Sequence, residues 1–545
     1  MTVWTPEQEH AIAAAQWTAQ GHIRHLVTVA YAGGGKTTIL AEMAKQFHGL
    51  HPAGTHPGTH SAGGRGLYIA FNRSIVDDVA ERFPPGVQVM TSHVLARKGL
   101  PPAYRQIVDE ALCSKAGLPS LTGPQIVKAT RIEGFKAGRF KVNSSQVASW
   151  ARQTVTAYCQ SGDDAIEAKH VPLLPHIPGL AAAVFDGAVK LWNAMDSLKL
   201  PMTHDTYFKI WSLSRPQIPA DFILLDEAQD TNPALSSVLF RQEAPTIWVG
   251  DPYQGIYGWR GAVDALALAR TQPNAYEIRL TRSFRFGEES AAIATRLLSA
   301  VGETHPVQGT GSTMVVQGGD DASVSGMERS IRQACSRQAC TLQGGGVPQF
   351  AWISFSNASL INVAIDAADA GIPFYLVRGR SGEEERMIYA AMDLKNGKVR
   401  ADSPLSGYAS WSELEEDAEN FPTSEAGRLL KMYRHPGFGK VLDVLKSGVR
   451  HEHEAQVILT TAHRSKGREW DVVVLDPDLD ATNNKAKSAR KFFMGDAGEL
   501  RFDNREDIHL RYVAATRARK LLVLACPKLY RWLQGVADHG TEAVA

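Results

Sequence analysis

The chain has 545 residues, with 58 Lys and Arg against 57 Asp and Glu, and a formal net charge of +1. That length predicts several domains with sizeable cores, and the near-zero balance excludes nucleic-acid or membrane binding through overall basicity, so any such surface must be local. Five scattered cysteines (Cys113, Cys159, Cys335, Cys340 and Cys526) fit free thiols in a reducing compartment; no second pair completes a zinc site with Cys335 and Cys340. The N-terminus is polar and no apolar run has the length of a membrane span, so a soluble, cytoplasmic protein is expected.

The first informative stretch is Leu26 to Thr38, LVTVAYAGGGKTT. Leu26, Val27 and Val29 suit a short buried strand; Gly33, Gly34 and Gly35 follow, then Lys36, Thr37, Thr38 and the helix-forming run ILAEMAKQF. A strand, a glycine turn and a helix N-terminus can wrap backbone N–H groups around phosphate, with Lys36 reaching the β- and γ-oxygens and Thr37 holding Mg2+. The phosphate-loop pattern places glycine where this chain has Ala30, which leaves an ordinary Gly-rich turn as the alternative. Beyond it, His48, His51, His56 and His60 punctuate a Gly- and Pro-rich stretch, read as a surface loop with metal binding as the alternative.

Strands are predicted at Leu67 to Phe71 and Val87 to Met90, with a helix from Ser74 to Phe83 between them. Residues 97 to 200 lack strand runs and read as a helical insertion. Strands resume at Phe222 to Leu225, Thr246 to Val249 and Glu277 to Leu280. A second series follows at Ala351 to Ser354, Phe374 to Val377, Val457 to Thr460, Val472 to Leu475 and Leu521 to Ala525. Strands alternating with helices imply an α/β fold of two parallel-sheet lobes, each with a mainly helical insertion. The second insertion, about 380 to 450, carries SELEEDAE, read as a solvated acidic helix face.

FILLDEAQD, Phe222 to Asp230, ends a buried strand in carboxylates, at the sheet edge where α/β folds bind ligands. Asp226 is the expected Mg2+ ligand and Glu227 the group that orients or deprotonates the attacking water; a solvated acid cluster is the bland alternative. The next strand runs into GDPYQGIYGWRGA, where Asp251 and Gln254 stand near the expected γ-phosphate. Tyr257, Trp259 and Arg260 form an aromatic and cationic series able to stack bases of a single strand, with core packing the alternative for Trp259.

The ordered set TPEQ, AYAGGGKT, LDEAQD, GDPYQGIYGWRGA, SFRF, TTAHRSKGREWD and YVAATRA resembles superfamily 1 helicases of the UvrD/Rep group. LYIAFNRS, TSHVLA and LTTAHRSKG bring it near the F-box DNA helicase branch; no F-box region precedes the first motif, so no ubiquitin-ligase partnership is expected. The resemblance implies two RecA-like lobes, residues 1 to 95 with 201 to 280 and residues 281 to 379 with 452 to 545, interrupted by insertions at 96 to 200 and 380 to 451. It implies ATP and Mg2+ bound between the lobes, and 3′-to-5′ movement on single-stranded DNA with unwinding of tailed duplex.

By the same resemblance Gln8 reads adenine, Phe284 stacks on it, and Ala32, Gly33, Gly34, Gly35, Lys36, Thr37 and Thr38 form the phosphate loop. Thr37 and Asp226 hold the metal, and Lys36, Asp226, Glu227, Gln254, Arg285 and Arg517 carry catalysis. Arg285 and Arg517 face the γ-phosphate as cations, Glu469 contacts ribose, and Lys466 and Gly467 serve coupling and close approach. DNA contacts fall on Phe71, Asn72, Thr91, His93, Tyr257, Trp259, Arg260, Thr461 and His463. Tyr31, Arg464 and Arg468 depart from the family pattern; Tyr31 narrows the nucleotide pocket in the expected reading, and the two arginines either add phosphate contacts or are solvated. Rival readings are a helicase-nuclease, a DNA-sensing ATPase that does not unwind, as in anti-phage defence, and an RNA translocase. The first lacks room for a nuclease module after the last motif; repair, replication and recombination are the pathways the resemblance suggests for a helicase.

Overall fold

The structure is a computed structural model that describes residues 3–48, 64–70, 72–113, 121, 123–138, 140–258, 261, 263–337, 347–377, 383–398, 403–405, 408–420, 427, 429–430, 437–480, 492–494, 500–502 and 505–534. It divides into two compact units, one of residues 1–30 with 35–280, the other of residues 31–34 with 281–545.

The first unit is built on a parallel sheet. Its strands are β1 (His25–Ala30), β2 (Gly66–Ala70), β3 (Val87–Thr91), β6 (Phe222–Leu225), β7 (Thr246–Gly250) and β8 (Ala275–Leu280), in the order β3-β2-β6-β7-β1-β8. β1, β2, β6 and β7 are buried along their whole length, which is why they read as continuous apolar runs rather than alternating ones. The helix Pro6–Ala19 starts on a capping box: Thr5 Oγ1 accepts from Gln8 N–H, and Thr5 N–H donates to Gln8 Oε1. Phe47 of the helix Lys36–His48 stacks on Phe222 with ring centroids 4.4 Å apart, tying the phosphate-loop helix to β6.

Between β3 and β6 lie helices Pro102–Cys113, Gly123–Thr130, Ser144–Gln160, Leu180–Asp196 and His204–Leu213. Contrary to the expectation of no strands here, Phe135–Ala137 (β4) and Phe140–Val142 (β5) pair as an antiparallel hairpin turning at Gly138. Strands of three residues with a lysine at the centre of each carry too little apolar pattern to be read from sequence.

The second unit holds another parallel sheet, β11 (Met314–Gln317), β12 (Phe350–Ser354), β13 (Phe374–Leu376), β14 (Val457–Thr461), β15 (Trp470–Leu475) and β18 (Ala518–Leu524), in the order β11-β18-β15-β12-β14-β13. Three further strands, unforeseen, are β9 (Arg282–Gly287), parallel to β10 (Gln308–Gly311), and the edge strand β11. β16 (Phe492–Met494) and β17 (Leu500–Phe502) pair antiparallel. Helices Glu383–Lys395, Trp411–Asn420 and Phe438–Ser447 occupy the stretch after β13. The acidic helix is only half solvated: Glu416 and Glu419 are exposed, while Leu414 and Ala418 enter the same apolar cluster as Leu394, Val441 and Leu445.

Candidate functional site

In the first unit β1 delivers the chain into the glycine turn, and the helix begins at Lys36. Gly33 and Gly35 have φ of 76° and 78°, a region that costs any residue with a Cβ, so the two glycines make the turn possible. Lys36 Nζ lies 3.3 Å from Glu227 Oε1. Thr37 Oγ1 donates to Asp226 Oδ2 at 3.4 Å, and the Tyr68 hydroxyl donates to the same oxygen at 2.6 Å. Burial first, then the neighbouring Glu227 charge, pushes the Asp226 carboxyl above the ordinary range, against the hydrogen bond from Tyr68 and the charge of Lys36. Tyr68 in turn is held well above its usual range by burial and by Asp226.

Thr37 and Asp226 fit a hard divalent cation, since both offer oxygen, and a carboxylate destabilised by burial and a like charge is one that such a cation would relieve. Glu227 has a left-handed backbone, φ 51°, which costs about 1–3 kcal/mol and is held by its surroundings. Gln229 Nε2 donates to Glu227 Oε2 at 2.5 Å, and Gln229 Oε1 accepts from Asp251 N–H at 3.0 Å. Asp251 Oδ2 then accepts from Gln254 Nε2 at 2.7 Å. A continuous relay therefore runs from Lys36 through Glu227, Gln229 and Asp251 to Gln254, linking the ends of β6 and β7. Gly250 is part of this frame: a Cβ there would lie 3.0 Å from Ala228 N and inside contact distance of Gln229 Oε1. Gln8 is buried with its amide held by the capping box, 3.5 Å from where a Gly35 Cβ would be.

A cavity of about 380 Å³ opens behind these carboxylates, lined by Asn72, His93 and Tyr257 together with Asp226 and Glu227. Thr91 caps the helix Ser92–Gly99 by accepting from Val94 N–H, which presents His93 in its first turn; burial lowers the His93 pKa, favouring neutral imidazole. Phe71, Trp259 and Arg260 lie outside the described residues. Thr38 stands in the first turn of the phosphate-loop helix.

Within the second unit, Arg285 donates from Nε to Glu469 Oε2 at 2.7 Å and from Nη1 to the Thr516 carbonyl at 3.3 Å. Arg517, 1% exposed, donates to the carbonyls of Val513 and Arg468 and to Thr516 Oγ1. Glu469 also faces Arg519 at 3.5 Å. The segment 31–34 groups here: Ala32 N–H donates to the Tyr512 hydroxyl at 3.0 Å, Phe284 N–H to Gly33 O at 2.9 Å, and the buried Tyr31 donates to His305 O. The Phe284 side chain is 52% exposed. Thr461 caps the turn Ala462–Ser465 that carries the half-buried His463, and Gly467 has φ 80°. Arg464 and Arg468 are neither isolated nor simply solvated, since Arg464 donates to Val377 O and Arg468 pairs with Glu452 at 2.9 Å.

Residues 185–273 match the UvrD/REP helicase N-terminal domain and residues 427–528 the UvrD-like helicase C-terminal domain. Both matches, and their order along the chain, are those of a UvrD/Rep-type helicase. It is 28% identical over 533 residues to F-box DNA helicase protein 1 of Schizosaccharomyces pombe (92% of this chain, 56% of the relative). Identity to F-box DNA helicase 1 of Gallus gallus is 24% over 526 residues (91% and 47%), and to ATP-dependent DNA helicase PcrA of Leuconostoc citreum 25% over 190 residues (33% and 25%). The chain thus spans about half the length of the F-box relatives it matches.

The N-terminal match covers Asp226, Glu227, Asp251, Gln254 and Tyr257, and the C-terminal match covers Thr461 through Arg517. The parallel sheets agree with the expected α/β class of RecA-like lobes. Sequence reasoning missed Gln229, Tyr68 and Gly250. Gln229 stands inside the LDEAQD motif, but its role depends on Asp251, far away in sequence; Tyr68, on another strand, had no signal.

Proposed function

We propose that this chain is an ATP-dependent DNA translocase and helicase that moves 3′ to 5′ on single-stranded DNA and opens tailed duplex. The observation that carries the reading is the relay from Lys36 to Gln254, because it joins a phosphate-binding lysine, a candidate base and the strand end that leads to Tyr257. Lys36 binds the β- and γ-phosphates, leaving Glu227, which the Gln229 amide keeps oriented, to take a proton from the attacking water. Thr37 and Asp226 would hold magnesium, which supplies charge neutralisation across the phosphates. We assign Arg285 and Arg517 to the transferring phosphoryl group, Gln8 and Phe284 to adenine, Glu469 to ribose, and Asn72, Thr91, His93, Tyr257, Thr461 and His463 to DNA. We assign residues 96–200 and 380–451 as insertions into the two lobes. Among the described residues no helix is long and apolar enough to cross a membrane.

The test is ATP turnover with single-stranded DNA, RNA and duplex, then strand displacement on 3′- and 5′-tailed duplexes. Stimulation by single-stranded DNA with opening of the 3′-tailed substrate is expected. Stimulation without displacement would replace this reading by that of a DNA-sensing ATPase, and stimulation by RNA alone would overturn the DNA assignment.

A further inference from the structure

In the second unit a single helical turn, Glu452–Glu454, leads into β14. Its backbone is braced by Gln349, whose Nε2 donates to the carbonyls of Glu452 at 2.8 Å and Ala455 at 2.7 Å, and by Glu454 Oε2, which accepts from His451 N–H at 3.1 Å. From this fixed base the Glu452 carboxylate reaches residues 468–470. Its Oε2 accepts from Arg468 Nη1 at 2.9 Å and its Oε1 from Trp470 Nε1 at 3.2 Å. The Arg468 guanidinium lies over the Trp470 ring, 6.0 Å from its centroid, so one carboxylate gathers a cation and the indole beneath it.

The same three residues touch both arginines assigned to the phosphoryl group. Side chains alternate along them as in any extended segment: Arg468 and Trp470 meet Glu452, while Glu469 meets Arg285 Nε at 2.7 Å. Their main chain holds Arg517, since Arg468 O accepts from Arg517 Nη1 at 3.2 Å and Trp470 N–H donates to Arg517 O at 3.0 Å. The bonds of Arg517 to Val513 O and Thr516 Oγ1 are local in sequence, so the Arg468 carbonyl ties the guanidinium to a different element. Gly467, with φ 80° and no side chain, leaves the approach to this carbonyl free to turn, and the grip of Glu452 on Arg468 and Trp470 removes that freedom. The side chains of Arg468 and Glu452 are 39% and 36% exposed, and an ion pair so placed adds little to stability. What it fixes is a position of the backbone.

We propose that Glu452 is a positioning residue for ATP turnover: by holding Arg468 and Trp470 it sets the Arg468 carbonyl that orients the Arg517 guanidinium. The inference rests on the assignment of Arg517 to the transferring phosphoryl group. A guanidinium that answers charge developing during transfer acts on the chemical step more than on ground-state binding. Loosening it therefore lowers kcat and leaves ATP affinity little changed.

The test measures kcat, ATP affinity and a melting curve for the full chain, saturated with single-stranded DNA, and for Glu452→Ala, Arg517→Ala and the double variant. Glu452→Ala should lower kcat by up to about 100-fold, the cost of a misplacement of about 1 Å, with ATP affinity and melting temperature near their original values. Arg517→Ala should lower kcat further, and adding Glu452→Ala to it should cost almost nothing more, because the group that Glu452 orients is gone. If Glu452→Ala melts early, Glu452→Gln, which keeps the shape and one acceptor, decides in its place by the same split between kcat and ATP affinity. Unchanged kcat in the folded Glu452 variants, a loss of ATP affinity with kcat preserved, or a Glu452 loss that repeats in full on top of Arg517→Ala overturns the positioning role while leaving Arg517 in its place. Normal turnover by Arg517→Ala removes the assignment of Arg517, and the inference with it.

Discussion

Glu227 combines a left-handed backbone with contacts to Lys36 and Gln229, so its position depends on its neighbours rather than on its own conformational preference. Glu227→Gln should lower ATP turnover at least about 100-fold while ATP binding persists, since the amide keeps the shape and loses the base. Lys36→Ala should cost a similar factor and weaken ATP binding as well; near-normal turnover in either variant would remove that residue from the site. Gly250→Ala tests the relay itself. Its Cβ must displace Gln229, and a misplacement of about 1 Å can cost about 100-fold, so turnover should fall by that order with ATP affinity little changed. A fall in ATP affinity with turnover preserved would mean that Gln229 does not orient the base. Of these residues, Lys36, Asp226 and Glu227 were legible because their side chains sit in fixed spacing to glycines or a strand end. Gln229 was hidden because its role is set by Asp251, a residue distant in sequence that only the pairing of β6 with β7 brings close.

At the scale of elements, the strands of the two six-stranded parallel sheets were legible except the edge strand β11, and the strands that pair outside them were not. β1, β6 and β12 announce themselves as apolar runs, whereas β9 begins two residues after β8 and contains the polar and cationic SFRF, and β4 and β5 alternate lysine with phenylalanine. β1 carries a buried titratable group, His25, 2% exposed, whose Nδ1 lies 3.4 Å from Trp248 Nε1. Burial and the nearby Arg24 charge lower its pKa to about 4 from 6.5. The neutral ring is the form the fold accepts. Below pH 6.5 the unfolded chain therefore binds a proton that the folded strand refuses until about pH 4, and stability is lost across that window. The difference corresponds to at most about 3 kcal/mol. His25→Gln keeps an acceptor for Trp248 without titrating, so denaturant midpoints measured from pH 7 to pH 4 should fall less steeply in the variant. Parallel curves would show that acid destabilisation originates elsewhere.

At the scale of the whole molecule, a net charge of +1 means that affinity for a polyanion must come from where charges are placed. The acidic helix Trp411–Asn420 is the sharpest local excess of carboxylates, and its outward residues Glu416 and Glu419 repel any phosphate brought near. We predict that duplex binding by this chain is weak for that reason, and that it moves along single strands more readily than it separates long duplexes. Deleting the helix would not test this, because Leu414 is fully buried and its loss would open a cavity costing about 2–5 kcal/mol. Reversing charge on the exposed face avoids that cost. Glu416→Lys combined with Glu419→Lys should leave the melting temperature and single-strand-stimulated ATP turnover near their original levels. Duplex binding should tighten at low salt, with the salt slope steepening by up to about 1.8 if both lysines reach phosphates. Loss of duplex binding in the folded double variant would show instead that these carboxylates take part in holding duplex, through hydrogen bonds to bases or through a bridging cation, and the repulsion argument would fail.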